Sequence, residues 1–182
     1  MTVSTTPPEI VTFWREAGPD KWYADDQAFD LAVRSRFFAA YEAAARGGLA
    51  AWEESAEGAL ALVLLFDQFP RNMFRGEARA FATDAMARAM ADRALTRGFD
   101  HATDSTMRPF FYLPFMHSEA PADQDRCVGL YEALGDAEQL RYARGHRDVI
   151  QKFGRFPHRN RALGRSTTQV EREFLDSDGV DV

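Results

Sequence analysis

Apolar residues recur every three or four positions along most of this chain, and we find no convincing alternation of the kind that marks a strand. Residues 26–46 carry one continuous apolar stripe, and Gly47-Gly48 follows it, which predicts a helix that ends there. The same spacing, with caps and glycine stops, predicts further helices that begin at Ser55, at Thr83 or Asp84, at Pro121, at Ala137 and after Ser166 or Thr168.

Two of the predicted helices have unusual patterns. Residues 59–66 are apolar on every face, which is typical of a helix surrounded by others, so we expect this one to be central. Residues 106–118 look helical but contain two prolines. Pro109 fits a first turn, whereas Pro114 removes an interior hydrogen bond and should kink or break the helix near Phe110.

The predicted fold is therefore all-α. Short connections between successive helices favour antiparallel neighbours, so we expect about eight helices arranged as stacked antiparallel hairpins. A chain of 182 residues suits a single helical domain over residues 1–182. We expect order over about residues 8–175 and a frayed acidic tail beyond.

Composition excludes several classes of function. The net charge of −6 argues against nonspecific binding to DNA, which needs many Lys and Arg side chains. Cys127 is the only cysteine, so no intrachain disulfide forms, and we expect it to be buried rather than nucleophilic. The first residues lack the pattern of a signal peptide, and the longest apolar run is too short to cross a membrane. A cytoplasmic protein is expected.

One motif occurs twice. Residues 66–72 and 153–160 both read Phe-x-x-Phe-Pro, followed closely by Arg-Asn, and both stand where an apolar helix ends. Because a proline disfavours helical geometry at the residue before it, both copies are predicted to turn the chain. We interpret the repeat as a corner used twice rather than as a duplicated active site.

The first copy contains a charged pair. Asp67 follows the most apolar helix and Arg71 lies four residues later, within reach if the turn stays helical. Asp67 is either a general base or metal ligand, or one half of a structural ion pair that fixes the corner.

Histidines stand on two of the predicted helices. His117 and His146 should both point inward, and Glu119 and Asp67 could complete a His/carboxylate site. Their spacing matches no metal signature, however, and a histidine on an apolar stripe is more often a core residue. We therefore expect neither a metal nor a cofactor.

The second copy lies in a strongly basic segment, residues 144–165. Gly154 and Pro157 should fix its backbone, and Arg155, Arg159 and their neighbours would then present rigid donors. Arginine forks on a rigid backbone are suited to carboxylate or phosphate recognition. The alternative is that these arginines pair with acidic residues of this chain and bridge its helices.

Several of these blocks resemble the bacterial DUF924 proteins. They are Phe13-Trp14 with Trp22, residues 65–72, residues 111–119, residues 153–160 and residues 163–166, in that order. The resemblance covers roughly residues 10–175 and implies an all-helical, tetratricopeptide-like fold. It implies no activity and no catalytic residues.

Two functional hypotheses follow. In the first, one polar pocket binds a small anionic molecule. Its candidate catalytic residues are His117, His158, Asp67 and Glu119, and its candidate ligand-binding residues are Arg71, Asn72, His146, Arg155, Arg159 and Asn160. In the second, a non-enzymatic module binds a peptide or protein partner in an exposed aromatic groove lined by residues such as Trp22, Phe37 or Tyr41. A purely structural role for the polar clusters is the third possibility.

Overall fold

A computed structural model describes residues 4–177, and it is all-helical over this range. Most of the predicted acidic tail lies outside the described residues. The chain divides into two compact units, one formed by residues up to 75 and residues 79–114, the other by residues 76–78 and the chain from 115 onward. Along the described chain, no helix combines the length and apolar character that a membrane crossing requires.

The first unit contains six α-helices. They are α1 (Pro7–Ala17), α2 (Pro19–Trp22), α3 (Gln27–Ala45), α4 (Ala56–Val63), α5 (Phe69–Met73) and α6 (Asp84–Thr96). A π-helical turn, Leu64–Gln68, joins α4 directly to α5, and 3₁₀ turns occupy Ala50–Glu54, Ala78–Phe81 and Arg108–Phe111. As predicted, the apolar run at 59–66 is buried on every face, and α1, α6 and the 3₁₀ turns pack around it.

The periodic pattern locates α3 well. Asp26 caps it by accepting hydrogen bonds from the amides of Ala28 and Phe29, and every member of the predicted stripe is buried. Phe37 and Tyr41 are 2% and 3% exposed, so the prediction that they line an exposed groove is wrong. Their rings pack into the core because both residues lie on the stripe that α3 buries.

The second unit contains α7 (Leu113–Met116, at its border), α8 (Pro121–Leu134), α9 (Ala137–Phe153) and α10 (Gln169–Asp176), with a 3₁₀ turn at Pro157–Arg159. Gly135 and Asp136 alone connect α8 to α9, and these two helices pack extensively as an antiparallel hairpin. Of the two predicted starts of α10, Thr168 is the one that caps it, and it forms a capping box with Glu171.

Residues 106–118 do not form the single helix that their pattern indicates. The chain forms a 3₁₀ turn, Arg108–Phe111, and then the short α7. The break falls at Tyr112, close to the position near Phe110 that Pro114 predicts, because a proline is tolerated only where its missing N–H is not needed. Here Pro114 is the second residue of α7, a position whose N–H has no partner within the helix.

Candidate functional site

The candidate residues belong to both units. Asp67, Arg71 and Asn72 lie in the first unit, and the others lie in the second: His117, Glu119, His146, Arg155, His158, Arg159 and Asn160. The two groups are built by different local structures and are described in turn.

The first copy of the repeated motif does not turn the chain, contrary to the prediction. Phe69 has helical angles, φ −60° and ψ −38°, and the helix continues through Pro70 to Met73. Pro70 has no N–H to donate to the carbonyl of Phe66, four residues earlier. The hydroxyl of Thr83 donates to that oxygen instead, at 2.7 Å, and this contact satisfies the carbonyl while the helix continues.

The predicted ion pair of Asp67 and Arg71 is present. Asp67 is fully buried, and its carboxylate accepts a hydrogen bond of 2.5 Å from the side-chain amide of Gln68. Arg71 Nη1 lies 3.3 Å from Asp67 Oδ1 and also donates to the Asp67 carbonyl. The same guanidinium pairs with Asp84 at 3.1 Å, so one cation serves two carboxylates.

This pairing determines the charge state of Arg71. Burial acts to lower the pKa of the guanidinium, but Asp67 and Asp84 outweigh it, and the pKa of Arg71 is raised. Asn72 donates to Asp30 of α3 at 2.8 Å, and Arg75 pairs with the same carboxylate at 2.7 Å. These contacts tie α5 to α3 and to the start of α6.

The second copy forms the predicted corner. Gly154 ends α9 with a φ of +68°, in the left-handed region that glycine adopts without strain. Phe156 is extended, with φ −88° and ψ 107°, and Pro157 opens the 3₁₀ turn. The ring of Phe156 is fully buried, so the corner has its own small core.

Arg155 and Asn160 belong to a network around Glu171, a residue that the sequence marked only as a helix cap. The guanidinium of Arg155 binds both carboxylate oxygens of Glu171, at 2.6 and 2.9 Å, and also donates to the Ser166 carbonyl. Asn160 Nδ2 lies 3.3 Å from Glu171, and the Thr168 amide donates to the same oxygen. The hydrogen bonds from Arg155 and Thr168 lower the pKa of Glu171 to about 2. The fork of Arg155 is therefore occupied by a carboxylate of this chain.

Glu119 also stabilises the corner at residues 153–160. Both of its oxygens accept from the Arg165 guanidinium, at 2.8 and 2.9 Å, and Oε1 also accepts from the backbone amide of Phe156 at 3.0 Å. Burial acts to raise the pKa of Glu119, but the bonds from Arg165 and Phe156 outweigh it and lower the pKa. Glu119 therefore holds the extended residue of the corner as an ionised carboxylate.

A buried glutamine places the neighbouring histidine. Gln124 of α8 donates to the carbonyls of Met116 and Ser118, at 2.7 and 2.6 Å, and so clamps the backbone on both sides of His117. No pattern in the sequence singles out Gln124, although an amide near the start of a helix that follows a kinked segment is suited to this role.

The remaining candidates form what we call the histidine cluster: His117, His146, Phe156, His158 and Arg159. Phe156 is at its centre, with the ring of His146 at 5.6 Å, the ring of His158 at 5.6 Å and the guanidinium of Arg159 at 4.5 Å from its centroid. The rings of His117 and His146 are 6.4 Å apart. Three of the four histidines of the chain thus meet in one corner.

Exposure is graded across the histidine cluster. Arg159 is 5% exposed and His146 8%, whereas His117 is half-buried and His158 is exposed. The cluster therefore extends from the interior of the second unit to its surface, and a small molecule arriving at His158 would approach groups that are largely shielded from water.

Burial, and then the electrostatic influence of its neighbours, lower the pKa of His146, so its ring is neutral. Burial is the largest cause that lowers its pKa, His117 the next, and His158 and Arg159 act in the same direction; together they lower the pKa to about 3. The Nδ1 atom of His146 lies 2.9 Å from the Tyr142 carbonyl one turn earlier on α9. The cluster thus combines a neutral imidazole with groups that carry or can accept protons.

Other parts of the molecule offer less. Among the described residues, no group of three or more His, Cys, Asp or Glu side chains is placed to hold a metal ion. A hollow of about 180 Å³ in the first unit lies between α4 and α6, but its two arginines, Arg93 and Arg97, pair with Glu53 and Glu54. Cys127 is buried as predicted, and burial raises the pKa of its thiol to about 12.

Comparison with known proteins identifies the family. Residues 10–179 match the family of bacterial proteins of unknown function, DUF924, and the chain belongs to it. A solved structure, that of the protein of unknown function ATU0120 from Agrobacterium tumefaciens, is 51% identical. It superposes with a TM-score of 0.90 over 93% of this chain and 96% of that one. No curated protein matches the chain.

Proposed function

We propose that the histidine cluster binds a small oxyanion and that His117 or His158 exchanges a proton with it. One observation carries this proposal: two histidines and a buried arginine contact the ring of Phe156, and a third histidine, His117, lies beside His146, in a corner with both buried and exposed members. Arginine and imidazole donors on a rigid backbone are suited to the oxygens of a phosphate or a carboxylate.

The residues take different parts in this proposal. Arg159 would hold the anion, since its guanidinium is fixed against Phe156 at 4.5 Å and its side chain is shielded from water. His158 and His117 are more accessible and would exchange the proton. Glu119 supports the corner through the Phe156 amide, and Arg155 and Asn160 support it through Glu171. Asp67, Arg71 and Asn72 belong to the first unit and are not members of the histidine cluster. They stay candidates for a site in the first unit.

Two broader features complete the proposal. The hairpin of α8 and α9 supports the expectation of stacked, tetratricopeptide-like hairpins, and the lone cysteine supports a cytoplasmic location. The alternative of a module that binds a peptide or protein partner loses its strongest expected feature, since Phe37 and Tyr41 are buried.

Nuclear magnetic resonance of the imidazoles tests the proposal, because the chain has only four. Inorganic phosphate should shift the signals of His117 and His158 in a saturable way and leave those of His101, an exposed histidine of the first unit, unchanged. Arg159→Gln should weaken this binding roughly 10- to 100-fold, as expected for loss of a charged hydrogen-bond donor.

Arg161, two residues further along and exposed, provides the matched control. Arg161→Gln should bind phosphate like the wild type. If His101 shifts as much as His117 and His158, or if a folded Arg159→Gln variant binds phosphate as tightly as the wild type, the proposed site is wrong. Arg159→Lys tests the same point should the glutamine variant fail to fold, because lysine keeps the charge but loses the planar fork.

A further inference from the structure

We propose that the histidine cluster selects an oxyanion that carries a hydroxyl donor of its own, such as monohydrogen phosphate or a hydroxycarboxylate, over one that offers acceptors alone. The inference rests on the proposed anion site and names its ligand class. His146 carries the argument, because its position fixes which of its two nitrogens can donate.

The tautomer of His146 follows from its partner. A backbone carbonyl has no hydrogen to donate, so the 2.9 Å contact between Nδ1 and the Tyr142 oxygen requires the proton on Nδ1. In the neutral ring Nε2 then carries a lone pair and acts only as an acceptor. Both residues stand on α9, four positions apart, so the helix itself enforces this arrangement.

The contact with Tyr142 does not use Nε2, the second nitrogen of His146. Within the described part of the chain, the contact from Nδ1 to Tyr142 is the one hydrogen bond of this side chain. The ring lies against Phe156 on one side and near His117 on the other. It keeps its lone pair, because burial and then the electrostatic influence of His117, His158 and Arg159 lower the pKa of His146 and so oppose a second proton.

A site that combines donors with one fixed acceptor discriminates between anions of similar shape. Sulfate presents only acceptor oxygens near neutral pH, so one of them would face the lone pair of His146 without a hydrogen between them. Monohydrogen phosphate has the same shape and charge but keeps one O–H, which can donate to Nε2 of His146. Its other oxygens can accept from Arg159, His117 and His158. A mismatched buried acceptor is costly, so discrimination of roughly 10-fold or more is expected.

Two pairs of probes separate the hydroxyl from other properties. Phosphate and sulfate are compared at about pH 8 and constant ionic strength, where both are mainly dianions, and glycolate is compared with acetate. Binding is followed by the imidazole signals and by calorimetry. We expect phosphate to bind roughly 10-fold or more tightly than sulfate, or glycolate to show the same advantage over acetate. Which pair shows the larger ratio distinguishes a phosphate site from a hydroxycarboxylate site.

The variant His146→Gln sharpens the test, because its amide reaches the position of Nε2 and can turn to donate as well as accept. The preference for the hydroxyl-bearing anion should fall to near unity in this variant and persist in His101→Gln. Equal binding within both pairs by the wild type, phosphate with sulfate and glycolate with acetate, would overturn the inference and leave the anion site standing. Failure of all four anions to move the cluster signals would overturn both. The wild-type ratios decide the matter even if His146→Gln does not fold.

Discussion

The two copies of the Phe-x-x-Phe-Pro motif have nearly the same sequence and opposite backbone structures. In residues 66–72 the helix runs straight through the proline, with Phe69 at φ −60° and ψ −38°. In residues 153–160 the chain leaves the helix, and Phe156 is extended at φ −88° and ψ 107°. The proline therefore does not decide the corner.

The residue after the first phenylalanine makes the difference. Gly154 adopts a positive φ of 68° and stops α9, whereas Asp67 stays helical, and a π-helical turn takes the chain past the proline. Neighbouring groups then stabilise each backbone structure. Thr83 donates to the carbonyl that Pro70 leaves without its helical donor, and Glu119 accepts from the backbone amide of the extended Phe156. The backbone structure of a short motif therefore depends on partners that are distant in the sequence.

The largest expected effect comes from removing the phenylalanine before each proline. Phe69 and Phe156 are both fully buried. Phe69 packs against Phe37 and Trp14, with centroids 5.0 and 5.5 Å away. Replacing either one by alanine should lower the free energy of unfolding by about 3–5 kcal/mol, through lost burial and the cavity left behind. Chemical denaturation measures both losses.

The two phenylalanine variants should differ in one readout. Phe156→Ala should shift the imidazole signal of His146, whose ring lies 5.6 Å from Phe156, and Phe69→Ala should leave it unchanged. A loss below about 1 kcal/mol in Phe156→Ala would show that the second corner lacks a packed core. A shift of the His146 signal in both variants would show that the effect is not specific to the contact between Phe156 and His146.

The next effect concerns the charge state of the buried ionisable side chain in each region. Asp67 is paired with an arginine, whereas His146 is kept neutral by burial and by its neighbours. Because the pKa of His146 is about 3 in the folded protein and 6.5 ordinarily, the unfolded chain takes up a proton below pH 6.5 that the folded chain refuses. His146 therefore contributes stability that is fully present above pH 6.5 and is lost progressively as the pH falls towards 3.

A pH series measures this contribution. The stability of the wild type relative to His146→Leu should fall by about 2 kcal/mol between pH 6.5 and about pH 5. Carboxyl groups titrate in both proteins, so their effect cancels in the difference. A flat difference for His146→Leu would mean that its ring is not shielded from water.

Much of the fold follows from apolar spacing and capping residues. The stripe of α3 and the bounds of α8 and α9 agree with the sequence, because these helices have one apolar face and clear stop signals. Helix α1 was missed, although Thr6 and Glu9 form a capping box before it and Pro7 opens it. The π-helical turn has no such signal, since nothing in residues 64–68 distinguishes its hydrogen bonds from those of an α-helix.

The sequence indicates which residues belong to the corner, but not which residues they pair with. The corner and its histidines are visible in the sequence, because Gly154 and Pro157 restrict the backbone. The partner of Arg155 is not, since Glu171 lies sixteen residues away and its spacing indicates only a helix cap. The donor state of His146 also needs coordinates, because it depends on a single carbonyl 2.9 Å from Nδ1.

The smallest effect tests the contact that lets the first motif stay helical. Thr83→Val keeps the shape of the side chain but removes the hydroxyl that donates to the Phe66 carbonyl at 2.7 Å, so we expect a loss of about 1–3 kcal/mol. Thr83 makes no side-chain cap for α6, so no other bond is lost. Thr96→Val is the matched control: its hydroxyl also donates to a helix carbonyl, that of Asp92, but on the surface, and its loss should stay within about 0.5 kcal/mol.

A second substitution shows whether Pro70 is the reason that Thr83 is needed. Pro70→Ala restores a backbone N–H four residues after Phe66, so the carbonyl regains a donor of its own and Thr83→Val should cost less in that background. Denaturation of the two single variants and the double variant gives the coupling energy directly. Additive losses would mean that Thr83 stabilises α6 independently of the proline, and the difference between the two motifs would then rest on Gly154 and Asp67 alone.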